Sequence, residues 1–319
     1  VSALHPTDLA ATLKGGLLTF PVTHFTEALQ VDEDRYRQHL DWQSGFSLAG
    51  LFVAGGTGEG FSLTTEEVRR VVSVAVDEVG GRLPIVAPAT GATAVATQQA
   101  ADAEVQGADG ILLLPPYLTE GSQAGLVAHV EAVCRATSLG VIVYNRANAI
   151  LSAESVEILA ERNPNFVGFK DGIGDIEAMA RIYARLGDRL MYIGGLPTAE
   201  TFALPLLQLG FNTYSSALCN FLPEFALDFH RDVLANDRKT VYEKLNEFVI
   251  PYLDIRDREK GYGVSIVKAG LDAVGRDGGT VRPPLQRLTQ VDADDLQALV
   301  DRTSALTGVS TAALSGATA

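Results

Sequence analysis

The sequence predicts a (β/α)8 TIM barrel with a C-terminal helical extension. Eight short apolar runs, at 16–21, 49–54, 84–88, 110–115, 140–144, 167–170, 191–194 and 212–216, recur about every 25 to 35 residues. Segments of helical period separate them, so each connection is a crossover and the sheet is parallel. No GxGxxG follows the first run, Gly16-Leu17-Leu18-Thr19, so the usual signature of a doubly wound open sheet is missing. With 319 residues, 47% of them hydrophobic, the chain can bury a core of that size.

The helix starts fit the same frame. Thr64 and Glu67, ahead of Val68, Val71 and Val72, read as a capping box. Ser152 and Asp175 are expected to open the helices after the fifth and sixth runs. The eight units fill residues 1–235. Three further helical stretches, 237–253, 259–274 and 292–306, exceed what a barrel needs and predict an appendage over 236–307. The tail 308–319 is rich in Ser, Thr, Ala and Gly and is expected to be flexible.

Composition narrows the partners. A formal charge of −14 argues against binding nucleic acid or an anionic membrane surface, both of which call for basic patches. No run is long and apolar enough for a membrane span, and no signal peptide is recognisable. Cys134 and Cys219 have no metal-type spacing and are expected to be free thiols of a reducing compartment, which points to the cytoplasm. The five histidines, His5, His24, His39, His129 and His230, are scattered, so no metal site is expected.

In a barrel of this type the chemistry sits at the C-terminal ends of the strands. There the run Val167-Gly168-Phe169 ends in Lys170, and Val141-Ile142-Val143 ends in Tyr144. Losing the hydration of an ammonium is costly, so a buried lysine tends toward the neutral, nucleophilic amine. Strand alternation puts Lys170 on the face of Gly168, and Tyr144 on the face of Ile142. A lysine and a phenol on neighbouring strand ends suggest Schiff-base chemistry with an adjacent proton shuttle.

Other strand ends supply candidates with open alternatives. Gly55-Gly56-Thr57-Gly58-Glu59 reads either as a turn whose N–H groups and Thr57 hydroxyl hold a carboxylate, or as a tight turn needing positive φ. Tyr117 is either a proton relay or a buried phenol. Arg146 is either a carboxylate clamp or half of a surface ion pair. Asp171 reads as a helix N-cap, and His24 as a loop residue. Gly194, Ser215 and Ser216 close the last two runs and are candidates for substrate contact.

Together these residues resemble the dihydrodipicolinate synthase / N-acetylneuraminate lyase superfamily of class I Schiff-base barrels. The stretches Leu51-Phe52-Val53-Ala54-Gly55-Gly56-Thr57-Gly58-Glu59, Val143-Tyr144-Asn145-Arg146 and Gly168-Phe169-Lys170-Asp171-Gly172-Ile173-Gly174-Asp175 carry the resemblance. So do Tyr192-Ile193-Gly194-Gly195-Leu196-Pro197-Thr198-Ala199-Glu200 and the segment 260–270. Within the superfamily they are most similar to the 5-dehydro-4-deoxyglucarate dehydratase branch. Two departures set the chain apart from the synthases. Gly56 stands where synthases and lyases have Thr or Ser, so the hydroxyl bridging two tyrosines is missing. Ala149 stands where the synthases have an arginine, five residues past the tyrosine.

The resemblance implies a six-carbon keto sugar diacid as substrate and Lys170 as the imine-forming residue. It also implies Tyr144 as proton shuttle and Tyr117 as relay. Gly56 and Thr57 would hold the keto-side carboxylate, Arg146 the distal one, and Ser215 or Ser216 the hydroxyls. No cofactor beyond the lysine imine is implied, and the assembly would be a homo-oligomer, a dimer or tetramer. A 2-keto acid aldolase using the same lysine is the nearest rival, and a non-catalytic sugar-acid binder a distant one.

Overall fold

The structure, a computed structural model, describes residues 3–116 and 120–307. Tyr117 and the tail 308–319 lie outside the described residues. Eight parallel strands close into a barrel in sequence order. They are β1 (Leu18–Thr19), β2 (Gly50–Phe52), β3 (Ile85–Ala89), β4 (Gly110–Leu113), β5 (Gly140–Asn145), β6 (Phe166–Asp171), β7 (Met191–Gly194) and β8 (Thr213–Ser216). Each falls within, or within a residue or two of, a predicted apolar run. β1 pairs with β8 through Leu18 opposite Ser215, which completes the ring.

Two apolar layers follow from the pleat. Residues pointing outward, such as Leu51, Ile111, Val141 and Phe169, meet the surrounding helices. Residues pointing inward, among them Leu18, Phe20, Phe52, Val86, Leu112, Ile142, Met191 and Ile193, fill the barrel. The helix Pro6–Lys14, which the sequence pattern does not announce, adds Leu9 and Leu13 to this inner plug. It explains why three strands begin with glycine. A Cβ on Gly50 would sit 2.5 Å from Leu13, one on Gly110 2.5 Å from Leu9, and one on Gly140 3.0 Å from Leu9. The N-terminal end of the barrel is therefore sealed, and only the C-terminal mouth is open for chemistry.

The anticipated caps are present. Thr64 and Glu67 form the capping box of the helix Thr65–Val79, and Ser152 and Asp175 cap Ala153–Arg162 and Ile176–Leu186. Asp171 does not cap a helix. Its carboxylate accepts the N–H groups of Ile173 (3.2 Å) and Gly174 (2.9 Å) and shapes the loop ahead of Asp175. The stretch 237–253 is less regular than its pattern suggests. Arg238–Lys244 passes through a π-helical turn, Leu245–Val249, into Ile250–Arg256. Pro251 has no N–H with which to continue the α ladder, and the wider turn precedes it.

The helices Tyr262–Ala273 and Gln290–Thr307 complete the C-terminal part. Phe248, Tyr252, Val267, Leu271 and Leu296 pack into the same core as Phe221 and Phe229. A buried ion pair also fastens this region to the barrel mouth. Lys268 Nζ lies 2.6 Å from Glu59 Oε1 and donates to the Thr280 carbonyl at 2.6 Å, while Glu59 Oε2 accepts the Arg282 N–H at 3.1 Å. No helix among the described residues is long and apolar enough to cross a membrane.

Removing one partner of a buried pair leaves an uncompensated charge. Lys268→Met is expected to destabilise the fold by about 3–5 kcal/mol, and Glu59→Gln added to it should recover most of that loss. Urea denaturation of both variants checks this, and a single variant as stable as the parent would contradict it.

Candidate active site

The register of β5 and β6 sets Tyr144 directly opposite Lys170. Both side chains turn inward above the apolar plug, and Lys170 is only 4% exposed. Its Nζ lies 4.0 Å from the centre of the Tyr144 ring and 4.9 Å from that of Phe20. Burial lowers the ammonium's pKa below its ordinary value. Tyr144 pulls it upward, the Arg146 cation pushes it further down, and the net shift is downward. Neutral amine is therefore more available here than on a surface lysine.

The Tyr144 hydroxyl donates to the Gly195 carbonyl at 2.7 Å and accepts from Arg146 Nη1 at 2.9 Å. Burial alone would raise this phenol's pKa. The Lys170 and Arg146 charges together with the Arg146 hydrogen bond outweigh burial, and the phenol titrates below its usual range. Two glycines make room for the pair. A Cβ at Gly195 would stand 2.7 Å from both Cγ and Nζ of Lys170, and one at Gly172 would stand 2.7 Å from the Tyr144 ring.

Across the barrel, the turn after β2 owes Gly55, Gly58 and Gly60 to close packing rather than to positive φ. A Cβ on Gly55 would meet the Phe20 ring at 2.6 Å, one on Gly58 the Pro21 carbonyl at 2.9 Å, and one on Gly60 the Ala54 carbonyl at 2.0 Å. The left-handed residues of the turn are Ala54 (φ 47°) and Glu59 (φ 55°). Glu59 is the residue held by Lys268, so the ion pair fixes the backbone of this turn. Gly56 has open space at its Cβ position, and Gly56 and Thr57 line the cavity. Their N–H groups have no protein acceptor among the described residues.

Lys170, Tyr144, Arg146, Gly56, Thr57 and Ser215 share one cavity of about 420 Å³. Two predicted contacts do not belong to it. Gly194 faces outward, where a Cβ would meet Tyr214 (3.0 Å) and Leu206 (3.2 Å), and Gly195 takes the inward position. Ser216 also faces outward and donates to the buried Glu200. Burial raises that carboxyl's pKa to about 6, against the opposing effect of the Ser216 hydrogen bond. Alternation accounts for both: inward Met191 and Ile193 lead to Gly195, and outward Tyr214 leads to Ser216. His24 is buried beside His39 and lines a separate small cavity with Arg35 and Arg276.

The cavity wall includes residues that the strand-end rule does not single out. Thr198, in the loop after β7, and Tyr252, Arg256, Gly261, Gly263 and Val264 of the C-terminal helices all line it. Arg256 Nη1 donates to Thr198 Oγ1 at 2.7 Å, bridging the two regions. The motifs 192–200 and 260–270 include all of these except Tyr252 and Arg256, which no spacing rule marks.

Comparison with known proteins fits this geometry. The model of the dihydrodipicolinate synthetase family matches residues 13–303. A Pseudarthrobacter chlorophenolicus protein named "Probable 5-dehydro-4-deoxyglucarate dehydratase" is 67% identical over 295 residues, covering 92% of this chain and 97% of its own. A Corynebacterium glutamicum protein of the same name is 60% identical, covering 92% of this chain and 93% of its own. Among solved structures, the dihydrodipicolinate synthase of Bacillus clausii superposes with a TM-score of 0.85 at 25% identity, over 93% of this chain and 99% of that one. The synthase of Aquifex aeolicus gives 0.81 at 25% identity, over 91% and 98%. A closed barrel with a buried lysine facing a strand-end tyrosine, matched over nearly its whole length, makes the chain a member of the dihydrodipicolinate synthetase family.

Proposed function

We propose that the protein is a lyase that converts 5-dehydro-4-deoxyglucarate to 2,5-dioxopentanoate with loss of one water and one carbon dioxide, through an imine on Lys170. The observation that carries the reading is the buried Lys170 amine 4.0 Å over the Tyr144 ring, in a cavity also lined by a turn whose N–H groups have no protein acceptor among the described residues. The close relatives' shared name supports the substrate. The absence of a hydroxyl at Gly56 and of an arginine at Ala149 argues against the synthase reaction.

The neutral Lys170 amine adds to the ketone carbon, and the ketone oxygen leaves as water, giving a protonated imine. This iminium acidifies the neighbouring methylene. Tyr144, its phenolate favoured by Arg146, takes the methylene proton and leaves an enamine. The enamine electrons expel the β-hydroxyl, which departs as water with the proton Tyr144 carries. The conjugated iminium then accepts the electron pair of the bond to the far carboxylate, and carbon dioxide leaves. Reprotonation and tautomerisation restore an iminium, and hydrolysis consumes one water, frees Lys170 and releases the dioxo acid. Gly56 and Thr57 hold the keto-side carboxylate, which the product retains. Ser215 is within the cavity to meet a substrate hydroxyl. The imine is the electron sink, so no external cofactor enters the scheme. A cytoplasmic homo-oligomer belongs to the same reading, as the resemblance implies.

Borohydride reduction during incubation with 5-dehydro-4-deoxyglucarate should leave an adduct on Lys170 whose mass shows loss of a second water beyond the one expelled in imine formation, or of that water and carbon dioxide. A C–C-cleaved adduct would move the reading to an aldolase. Lys170→Ala should abolish both adduct and turnover. Tyr144→Phe should keep the adduct while turnover falls roughly 100- to 10,000-fold; an unchanged rate would remove the shuttle role. Gly195→Ala drives a methyl into the Lys170 amine and should suppress trapping in a protein that still melts cooperatively.

The pH dependence follows from the charges around the lysine. Imine formation needs neutral amine, so its rate rises as pH climbs through the Lys170 pKa. The Arg146 cation lowers both the lysine and the phenol. Arg146→Gln therefore shifts the rising limb of the pH–rate profile to higher pH. A limb that stays in place would show that Arg146 does not tune the pair.

A further inference from the structure

We infer that Arg256 recognises the distal carboxylate, the one lost as carbon dioxide, and so sets the preference for a diacid. The inference rests on the dehydratase reading above. Arg146 is poorly suited to that task, because it is exposed and bonded to the Tyr144 hydroxyl. Pairing it with a carboxylate would withdraw it from the phenol it tunes.

Arg256 stands elsewhere on the wall. Around the ring, β2 with its carboxylate turn lies opposite β6, Arg146 follows β5 on one side of Lys170, and β7 and β8 lie on the other. Thr198 follows β7, Ser215 is on β8, and Arg256 ends a helix packed there. A chain anchored at Gly56 and Thr57 and bonded to Lys170 has room for its free end beside Thr198, Ser215 and Arg256, which line the same cavity. Only 17% of the Arg256 side chain is exposed. Its Nε donates to Asp257 Oδ1 at 2.7 Å, Nη2 to Asp257 Oδ2 at 3.1 Å, and Nη1 to Thr198 Oγ1 at 2.7 Å. A guanidinium has five N–H bonds. Those without an acceptor among the described residues remain available at a cavity-lining side chain.

A second feature points the same way. Thr198 adopts left-handed φ 54°, ψ 66°, an unfavourable conformation for a β-branched residue. Strain of this kind persists where the surroundings over-determine it, commonly at ligand clamps. Here it delivers the hydroxyl that holds the guanidinium.

The Asp257 partner suits a carboxylate that must leave. A full, unshared cation would stabilise the carboxylate ground state and slow decarboxylation. Sharing the guanidinium with Asp257 tempers the grip. After carbon dioxide departs, Arg256 is still paired, so no buried charge is stranded.

The test compares 5-dehydro-4-deoxyglucarate with the same keto acid bearing a hydroxymethyl group in place of the distal carboxylate. The readout is the concentration that half-saturates borohydride trapping on Lys170. For Arg256→Gln the diacid value should rise roughly 10- to 150-fold, the loss of one charge-assisted contact, while the alcohol's changes less than about threefold. Arg256→Lys should recover part of the loss. Equal weakening for both compounds, no weakening for the diacid, or loss of trapping with pyruvate in both variants would each overturn the assignment; the last would mark Arg256 as a purely structural residue. Failure of the wild-type protein to trap or turn over the diacid would sink the dehydratase reading instead, which is a different outcome.

Discussion

Everything at the barrel mouth depends on the cost of keeping an ammonium at Lys170 out of water. Below it the inner layer is apolar from Ile193 and Met191 down to Leu9 and Leu13. The helix Pro6–Lys14 closes that layer from beneath, and the strand-opening glycines let it approach. Among the described residues this layer fills the barrel beneath Lys170, and the amine borders the cavity at the mouth. Each unit by which its pKa falls corresponds to about 1.4 kcal/mol favouring the neutral form. Packing some distance from the amine thus biases Lys170 toward the neutral form that the proposed imine needs.

The same poorly hydrated setting strengthens the interactions that oppose burial at Tyr144. One arginine bonds the phenol oxygen, and the lysine lies over its ring face. Tyr214 shows the opposite outcome: burial, with Glu200 and Cys219 adding to it, pushes its pKa well up. Two tyrosines on the strands of one barrel, one facing in beside cations and the other facing out beside Glu200 and His230, therefore differ in acidity because strand parity gives them different neighbours.

Much of this is legible in the sequence. Apolar runs ending in Lys170 and Tyr144 locate the pair that meets at the cavity floor, because a lysine that closes a buried strand is costly to desolvate and persists where a pocket receives it. The capping box at Thr64 and Glu67 is legible from its local spacing. Gly194 and Ser216 were expected in the cavity, although the alternation that correctly orients Lys170 also excludes them, so the signal existed and lay in strand parity. The N-terminal helix escapes notice because only Leu9 and Leu13 mark its buried face in an otherwise polar segment. Arg256 is not legible at all. Its role depends on a π-helical turn before Pro251 and on a left-handed Thr198, and neither is written in periodicity.

The charge pattern of the site suits the course of the proposed reaction. The protein carries −14 overall, yet its cavity is lined by Arg146, Arg256 and Lys170. A dianionic substrate enters a field set by these local cations, which act at shorter range than the acidic surface screened by salt. In the proposed scheme, forming the iminium adds a positive charge beside Tyr144 just when the phenolate is needed, so each favours the other. Decarboxylation then cancels that iminium charge against the departing carboxylate's. With Arg256 still paired to Asp257, the monoanionic product faces one fewer interaction than the substrate did, and the site that attracted a dianion holds its product less firmly.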